Sequence, residues 1–380
     1  MINPVQPSND GEPSGLKRFV FITLIAIVPV ALCLLVLETA TYFFYHHANL
    51  FPFDRQNPIS IAFRQFSRAY RQMVQWDPAC STYNEALGNF TLRPGGCTHA
   101  TTEFSVDVEV NSMGLRDTET DLRAPEVILI GPSFAMGWGV PQDQTMAGVV
   151  ERTTGLRVLN AGIAGYGLPQ SLALLSHLDR SRMRYLVVVF FVTQDARSDR
   201  QILESKEPVT SYRLPRDSYE QVVAKYTSRP ADLTFGKYLY KFAESYLAVD
   251  QQRWQLERQD ERLRMLDFPF SEAARQFFEV MDLVRPLLGD STIIFVPSLP
   301  ACQHGSDLLS AAIDDAAAKG FKHISNPVIA VRVDAEIDSS HCFVYDNHLN
   351  ARAHALFGQR ISSAILRDGL PRVERSAGAR

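Results

Sequence analysis

The first strong pattern in the chain is an apolar run that follows a polar N-terminus. Residues 19–37 contain no charged side chain, and a helix of that length covers roughly the ~30 Å hydrocarbon core of a bilayer. Lys17 and Arg18 precede the run, and the aromatic residues 42–45 follow it. Positive charge favours the cytoplasmic side. The pattern therefore predicts an anchor over residues 18–45, with 19–41 in the membrane and the rest of the chain outside the cytoplasm.

A cleavable signal peptide is the alternative interpretation of this run. The apolar part of a signal peptide is usually only ~7–15 residues long and ends at a small-residue cleavage site. The run here is longer, and residues 38–41 lead directly into bulky aromatics. These features favour an uncleaved anchor.

Further along the chain, short apolar runs alternate with helical stretches. Continuous apolar runs are typical of parallel strands that are buried on both faces. They occur at residues 127–130, 158–159, 185–191 and 293–296. Helical stretches are predicted at residues 171–178, 271–288, 306–318 and 351–366. This alternation predicts an α/β fold with a parallel sheet and right-handed crossovers.

The remaining patterns divide the chain into segments. A disordered cytoplasmic tail (1–17) precedes the anchor (18–45), and a stem with a β-rich lead-in (46–99) follows it. The main domain covers 100–370, interrupted by an insertion at 197–270, and a flexible tail (371–380) ends the chain. The insertion contains Tyr212, Arg213, Arg216 and Tyr219. These residues suit a lid that binds sugars, and they suit a solvated helical excursion equally well.

Composition excludes some classes of function. The chain is 46% hydrophobic and 21% charged, with a formal net charge of −4. This balance argues against a nucleic-acid-binding protein and against a disordered one.

Four of the five cysteines lie outside the apolar run. An even number of cysteines in an oxidising compartment permits two disulfides, with three possible connectivities. We predict Cys80–Cys97, which closes a short loop, and Cys302–Cys342. Zinc is the alternative, because histidines lie near two of these cysteines. The sequence has no C-x-x-C or H-x-x-x-H spacing to support zinc, so we predict no metal site.

Ser133 is the first candidate for chemistry. It lies just past the carboxyl end of the first predicted parallel strand, where open α/β sheets place their ligands. The same position suits an ordinary helix N-cap. A serine hydroxyl becomes a good nucleophile only when a base removes its proton, and that base needs an acceptor to orient it.

Asp346 and His348 provide such a pair, two residues apart on a loop before the last predicted helix. Two other histidines lie near them in the sequence. His354 falls inside the predicted helix and His341 adjoins a cysteine, so both are interpreted as structural.

With these residues the sequence resembles the SGNH (GDSL-like) hydrolase class, over about residues 100–370. Four blocks match in order: 131–137 for the nucleophile, 160–167 for an oxyanion glycine, 192–195 after the long apolar strand, and 346–350. Residues 110–117 resemble the lead-in of membrane-tethered bacterial members. The spacing Asp346-x-His348 is similar to that of the alginate-acetylation O-acetyltransferases of this class. The resemblance departs at Pro132, where the class has aspartate, and at Gln194, where it has asparagine.

The resemblance implies a flavodoxin-like three-layer sandwich, the SGNH hydrolase fold, that works without a cofactor. Ser133 would attack an ester, His348 would take its proton, and Asp346 would orient the imidazole. The backbone N–H groups of Ser133 and Gly165 and the side chain of Gln194 would form the oxyanion hole.

We therefore expect a serine esterase at the inner membrane, acting on the periplasmic side on O-acyl esters, foremost O-acetyl esters, of a glycan or lipid of the cell envelope. One alternative is a glycan O-acetyltransferase. It would need an integral-membrane partner as acyl donor, because a single-pass chain cannot carry the donor across the bilayer. The second alternative is a catalytically degenerate scaffold. The sequence does not identify the substrate.

Overall fold

The computed structural model describes residues 15–50, 57–228, 234–256, 270–298, 305–346 and 348–369. The strands are β1 (Ser81–Asn84), β2 (Asn89–Leu92), β3 (Cys97–Ala100), β4 (Ser105–Val108), β5 (Val127–Gly131), β6 (Val158–Gly162), β7 (Tyr185–Phe191), β8 (Thr292–Ser298) and β9 (Val328–Ala330). The helices are α1 (Gly15–His46), α2 (Pro58–Tyr70), α3 (Ser133–Met136), α4 (Met146–Thr154), α5 (Leu168–Leu175), α6 (Val192–Ser205), α7 (Arg216–Thr227), α8 (Tyr238–Leu256), α9 (Phe270–Leu283), α10 (Arg285–Leu288), α11 (Ser306–Ala318) and α12 (Ala351–Asp368).

The apolar runs form one parallel sheet of five strands in the order β6-β5-β7-β8-β9. This is the flavodoxin-like order, in which the chain reverses direction across the sheet beside its first strand. The predicted fold class is thereby confirmed. Each predicted strand is present, and β6 and β8 are longer than their apolar cores.

Helices cover both faces of the sheet because successive side chains of a strand point to opposite sides. On one face, Ile128, Ile130 and Phe295 pack against α5, α9 and α11. On the other face, the alternate residues of the same strands, such as Leu129, pack against α4 and α12. The result is the predicted three-layer sandwich.

Two antiparallel hairpins, β1-β2 and β3-β4, precede the sheet. The disulfide Cys80–Cys97 joins them, with a Cα–Cα distance of 5.3 Å, so this predicted bridge is confirmed. Cys302 lies outside the described residues, and the bridge Cys302–Cys342 stays a prediction. The predicted tail 371–380 and residues 1–14 of the predicted tail 1–17 also lie outside them. Residues 15–17 belong to the first turn of α1, so the helix begins before the predicted end of the tail.

The apolar run lies within α1, which has 32 residues and a mean hydropathy of 3.1 over its most apolar window. Among the described helices it alone is long and apolar enough to cross a membrane, by length and composition. The helix continues beyond the apolar run to His46, and its last turns contact the rest of the molecule. Glu38, Thr41 and Tyr45 are buried there.

Candidate active site

Ser133 follows the end of β5 at a tight backbone turn. Gly131 has φ = +142°, and a Cβ at this position would lie 2.5 Å from the carbonyl oxygen of Val189 on the neighbouring strand. Only glycine therefore fits there. Pro132 has extended backbone angles, and Ser133 begins the four-residue helix α3. The turn leaves the Ser133 side chain partly accessible while its neighbours are buried.

His348 lies in the loop that leads into α12. A bridge between Cys342 and Leu349 closes this loop. Asn350 is the N-cap of α12, and its side chain accepts hydrogen bonds from the N–H groups of Arg352 and Ala353. Asn350 also donates to the carbonyl of Ser340 at 2.7 Å, which ties the loop to the start of the helix.

The fold brings Ser133, His348 and Asp346 together from distant parts of the chain. The Ser133 Oγ lies 2.7 Å from His348 Nε2, and His348 Nδ1 lies 2.5 Å from Asp346 Oδ1. A hydroxyl, an imidazole and a buried carboxylate in this order form the arrangement that activates a serine nucleophile. The geometry permits proton transfer from Ser133 to His348.

Two side chains besides His348 hold the Asp346 carboxylate. Trp138 Nε1 donates to its Oδ2 at 2.9 Å, and Arg71 Nη1 forms an ion pair with its Oδ1 at 2.6 Å. The backbone N–H of His348 also donates to it. Burial raises the pKa of Asp346, but His348, Arg71 and Trp138 together outweigh burial and hold that pKa below its usual range. Asp346 is therefore ionised whenever His348 needs an acceptor.

Aromatic rings orient the His348 imidazole. Trp138 stacks on it with ring centroids 4.6 Å apart and an interplanar angle of 13°. Phe134 contacts the ring as well, at 5.1 Å. Trp138 thus contacts both the base and its acid partner, one through its ring and the other through its N–H.

Glu103 supports the loop from behind. Its carboxylate accepts hydrogen bonds from the backbone N–H groups of Val344, Tyr345 and Asp346. Burial raises the pKa of Glu103 to about 7, although these hydrogen bonds act in the opposite direction. The loop that holds Asp346 and His348 is therefore held by a partly buried carboxyl from the turn between β3 and β4.

The predicted oxyanion residues lie beside Ser133. Gly165 has φ = +90°, and among the described residues neither its N–H nor that of Ser133 has a hydrogen-bond acceptor. The Gln194 side chain donates from Nε2 to the Gly165 carbonyl at 2.9 Å. Gln194 therefore holds the Gly165 turn with one amide hydrogen and keeps a second hydrogen for another acceptor.

Asp195 positions the start of α6. It is buried and accepts hydrogen bonds from the N–H groups of Leu168 and Phe191. Burial raises the pKa of Asp195 to about 8. Asp195 thus ties the Gln194 turn to the start of α5.

A cavity of about 230 Å³ opens above these groups. Ser133, His348, Gly165 and Gln194 line it. Arg68, Arg71 and Gln75, from the end of α2 and the turn that follows, line it as well.

Sequence reasoning missed Arg71, Trp138 and Glu103. The sequence contained a feature that could have identified Trp138, because it lies five residues after Ser133 and its indole N–H needs a partner. No feature of the sequence could have identified Arg71 or Glu103, since both reach the loop from segments far away in the sequence.

The other candidates lie away from this cavity. His354 is buried in α12, and its Nδ1 accepts from the N–H of Met146. His341 pairs with Asp338 at 2.9 Å. Among the described residues, no group of three or more His, Cys, Asp or Glu side chains could hold a metal ion.

None of the four residues considered for a sugar-binding lid lines the cavity. Tyr219 is buried and stacks on Phe90 at 5.7 Å. Arg216 pairs with Glu85 and Glu220. Tyr212 hydrogen-bonds Gln170, and Arg213 donates to the carbonyl of Leu87.

No protein-family model matches the sequence, and no curated protein matches it. Among solved structures, the chain is similar to a family two carbohydrate esterase from Clostridium thermocellum in complex with cellohexaose. The identity is 12% and the TM-score 0.35, over 64% of this chain and 63% of that one. For a carbohydrate esterase family 2 enzyme from Corynascus thermopiles, the identity is 13% and the TM-score is 0.36, over 63% of this chain and 65% of that one. For a salicylyl-acyltransferase from a tetracycline biosynthetic pathway, the identity is 13% and the TM-score is 0.34, over 64% of this chain and 55% of that one. The chain thus spans less than two thirds of each of these proteins, and a likeness at this level does not assign an activity.

Proposed function

We propose that this protein is a serine ester hydrolase that acts through an acyl-enzyme on Ser133. One observation carries the proposal: Ser133 Oγ lies 2.7 Å from His348 Nε2, while the opposite nitrogen of the same imidazole contacts a buried carboxylate. A catalytically degenerate scaffold would not require the side chains of Ser133, His348 and Asp346 to be linked by hydrogen bonds in this order.

The reaction follows from this geometry. Ser133 Oγ attacks the ester carbonyl carbon while its proton passes to His348 Nε2, and the carbonyl oxygen becomes an oxyanion. The N–H groups of Ser133 and Gly165 and the second amide hydrogen of Gln194 would stabilise that charge. The C–O bond to the alcohol then breaks, and the alcohol leaves with the proton from His348. Water repeats the sequence on the acyl-serine, releasing the acid and restoring Ser133.

The position of the site supports a substrate in the cell envelope. Tyr345, next to Asp346, donates a hydrogen bond from its hydroxyl to the carbonyl of Phe44 near the end of α1. The cavity therefore lies close to the end of the helix that we propose crosses the membrane. We infer an O-acyl ester of an envelope glycan or lipid, outside the cytoplasm, as the substrate.

The test is covalent labelling of the full chain in uncharged detergent with a fluorophosphonate probe. We expect labelling on Ser133 alone, and hydrolysis of a small acetyl ester such as 4-nitrophenyl acetate. Ser133→Ala should abolish labelling and lower kcat by about 10³-fold or more. Ser339→Ala, in an exposed turn, serves as the matched control. A folded wild type that neither reacts with the probe nor turns over any ester would refute the proposal.

Hydrolysis and acyl transfer proceed through the same acyl-serine. They differ in the molecule that accepts the acyl group from Ser133, which is water in hydrolysis and a sugar hydroxyl in transfer. With a radiolabelled acetyl ester, a hydrolase releases acetate at the same rate with or without added oligosaccharide. Label that moves to the oligosaccharide would identify the protein as a transferase.

A further inference from the structure

The cavity above Ser133 has one strongly basic wall. Arg68, Arg71 and Gln75 line it, and they come from one continuous segment at the end of α2 and in the turn that follows. Arg68 lies in the last turn of α2, and Arg71 and Gln75 follow the end of the helix in non-helical backbone. Ser133, His348, Gly165 and Gln194 line the same cavity, and Arg71 contacts Asp346 directly.

In the part of the chain that the structure describes, Arg68 forms no ion pair or hydrogen bond with an acidic side chain. The Asp346 carboxylate attracts it but is already paired with Arg71. Its guanidinium reaches the cavity, while Arg71 one turn later adds a second positive charge. Desolvation and the neighbouring charge of Arg71 lower the pKa of Arg68, and Asp346 acts in the opposite direction. The Arg68 side chain is exposed, so its guanidinium can form a charge-assisted hydrogen bond with an anion that enters the cavity.

The other two residues of this wall have hydrogen-bonding capacity left over. Arg71 uses Nη1 for Asp346, but its buried Nε has no acceptor among the described residues. Gln75 is 7% exposed, and its side-chain Oε1 has no donor there either. Buried polar groups are rarely left unpaired. A half-turn of the Gln75 amide exchanges its oxygen and its NH₂, so Gln75 can equally present its NH₂ to the cavity.

We propose that the ester substrate carries an anionic group, a carboxylate or a phosphate, which binds Arg68, Arg71 Nε and the Gln75 amide beside the scissile bond. This inference rests on the proposed function and adds a substrate class to it. A guanidinium presents two parallel N–H donors that match the two oxygens of such an anion. An acylated acidic sugar supplies a carboxylate, and a lipid headgroup supplies a phosphate.

The experiment compares acetate esters of one alcohol scaffold that differ only in a neutral carboxamide, a carboxylate or a phosphate group. For the wild-type full chain in uncharged detergent, we expect kcat/KM for one anionic ester to exceed that for the carboxamide by about tenfold or more. A higher kcat/KM for the carboxylate ester would indicate an acidic sugar as the substrate, and a higher kcat/KM for the phosphate ester would indicate a lipid headgroup.

Arg68→Gln should reduce this anionic preference about tenfold, and Arg68→Lys should restore part of it. Arg182→Gln is the matched control, because it removes the same charge before the amino end of β7, at the opposite edge of the sheet from Ser133. Turnover of all esters with equal kcat/KM, or an unchanged preference in Arg68→Gln, would overturn the inference while leaving the proposed function intact.

A binding measurement is independent of turnover. Calorimetry with the carboxylate-bearing alcohol, the product of the reaction, should show binding to Ser133→Ala that weakens at least about tenfold when Arg68→Gln is added. Equal affinity for the charged and the neutral alcohol would overturn the inference. Absence of probe labelling together with retained binding of the anion would refute the esterase alone.

Discussion

At the scale of single residues, the acid of the proposed triad has the most elaborate surroundings. Asp346 receives hydrogen bonds or ion pairs from His348, Trp138 and Arg71. Removing one partner from a buried carboxylate leaves charge that is only partly compensated. The same donors that keep Asp346 ionised also fix the direction of its oxygens, and through them the tilt of the His348 ring.

Gln194 provides the sharpest test at this scale. Its Nε2 donates a hydrogen bond to the Gly165 carbonyl at 2.9 Å, and this contact requires the length of a glutamine side chain. Asparagine is shorter by about 1.5 Å, one C–C bond, and would lose this contact. We expect Gln194→Asn and Gln194→Ala each to lower kcat by roughly 10²-fold, with little change in KM, because the oxyanion forms only during the reaction. Steady-state kinetics would show this.

Gln359→Ala, on the exposed side of α12, is the control for that experiment. Full activity in Gln194→Ala would mean that this position supports neither the oxyanion nor the Gly165 turn.

His99 predicts how stability depends on pH. Its ring is fully buried against Trp138 at 4.4 Å, and both nitrogens lack partners among the described residues. Burial lowers the pKa of His99 from 6.5 to about 4. Between pH 6.5 and about pH 4, the imidazole of His99 is protonated in the unfolded chain but stays neutral in the folded protein. The contribution of His99 to the free energy of unfolding is therefore fully present above pH 6.5 and is lost as the pH falls toward about 4.

His99→Phe keeps an aromatic ring and removes the titration. Between about pH 7 and about pH 4.5, we expect the variant to lose about 2 kcal/mol less stability than the wild type, at about 1.4 kcal/mol per pKa unit. Urea unfolding at several pH values measures this difference. His323→Phe, at an exposed position, should show the slope of the wild type; an identical slope in His99→Phe would contradict the prediction.

At the scale of secondary-structure elements, α1 and α8 are joined through one carboxylate. The buried Glu38 of α1 accepts hydrogen bonds from the N–H groups of Gly236, Tyr238 and Leu239. It thus caps the N-terminus of α8 from another helix, where a negative charge is favourable. The end of the apolar helix is therefore part of the folded domain.

Glu38→Ala removes this cap. Three N–H groups would lose their acceptor, and we expect the local unfolding free energy to fall by about 1–3 kcal/mol. Hydrogen exchange of residues 236–239 should accelerate by about tenfold or more. Glu244→Ala, which breaks only the exposed pair with Lys241, should leave these amides unchanged. Equal exchange rates in Glu38→Ala and the wild type would show that the cap contributes no stability.

At the scale of the whole molecule, the end of α1 and the loop that holds Asp346 and His348 are packed together. Tyr345 stacks with Tyr45 at 6.1 Å and with Phe63 at 5.8 Å, so α1, α2 and the loop that holds Asp346 and His348 share one aromatic cluster. This contact holds the site at a short distance from the segment that we propose crosses the membrane.

The proposed orientation of the chain has a direct test in a Gram-negative host. Lys17 and Arg18 favour a cytoplasmic N-terminus, so alkaline phosphatase fused after Arg380 should be active and green fluorescent protein at the same position should be dark. The full chain should stay in the membrane fraction after alkaline carbonate extraction. N-terminal sequencing that finds cleavage near Ala40 would identify a signal peptide instead.

Local patterns in the sequence determined the strands and the layers, and they indicated the residues that we propose to be reactive. Apolar runs of strand length predict parallel strands wherever they occur, because such strands must be buried on both faces. Ser133 at a strand end, and Asp346 and His348 before the last helix, can be read from a single stretch of chain each.

Only the tertiary structure decided which distant groups complete the site. Arg71 and Glu103 contact the loop that holds Asp346 and His348, and Gln75 lies beside Gly165. No local pattern encodes a contact over such separations. The same holds for Glu38, whose three partners lie about two hundred residues further along the chain. Periodicity reports how one element is buried, whereas ion pairs and caps between elements depend on how the elements are packed.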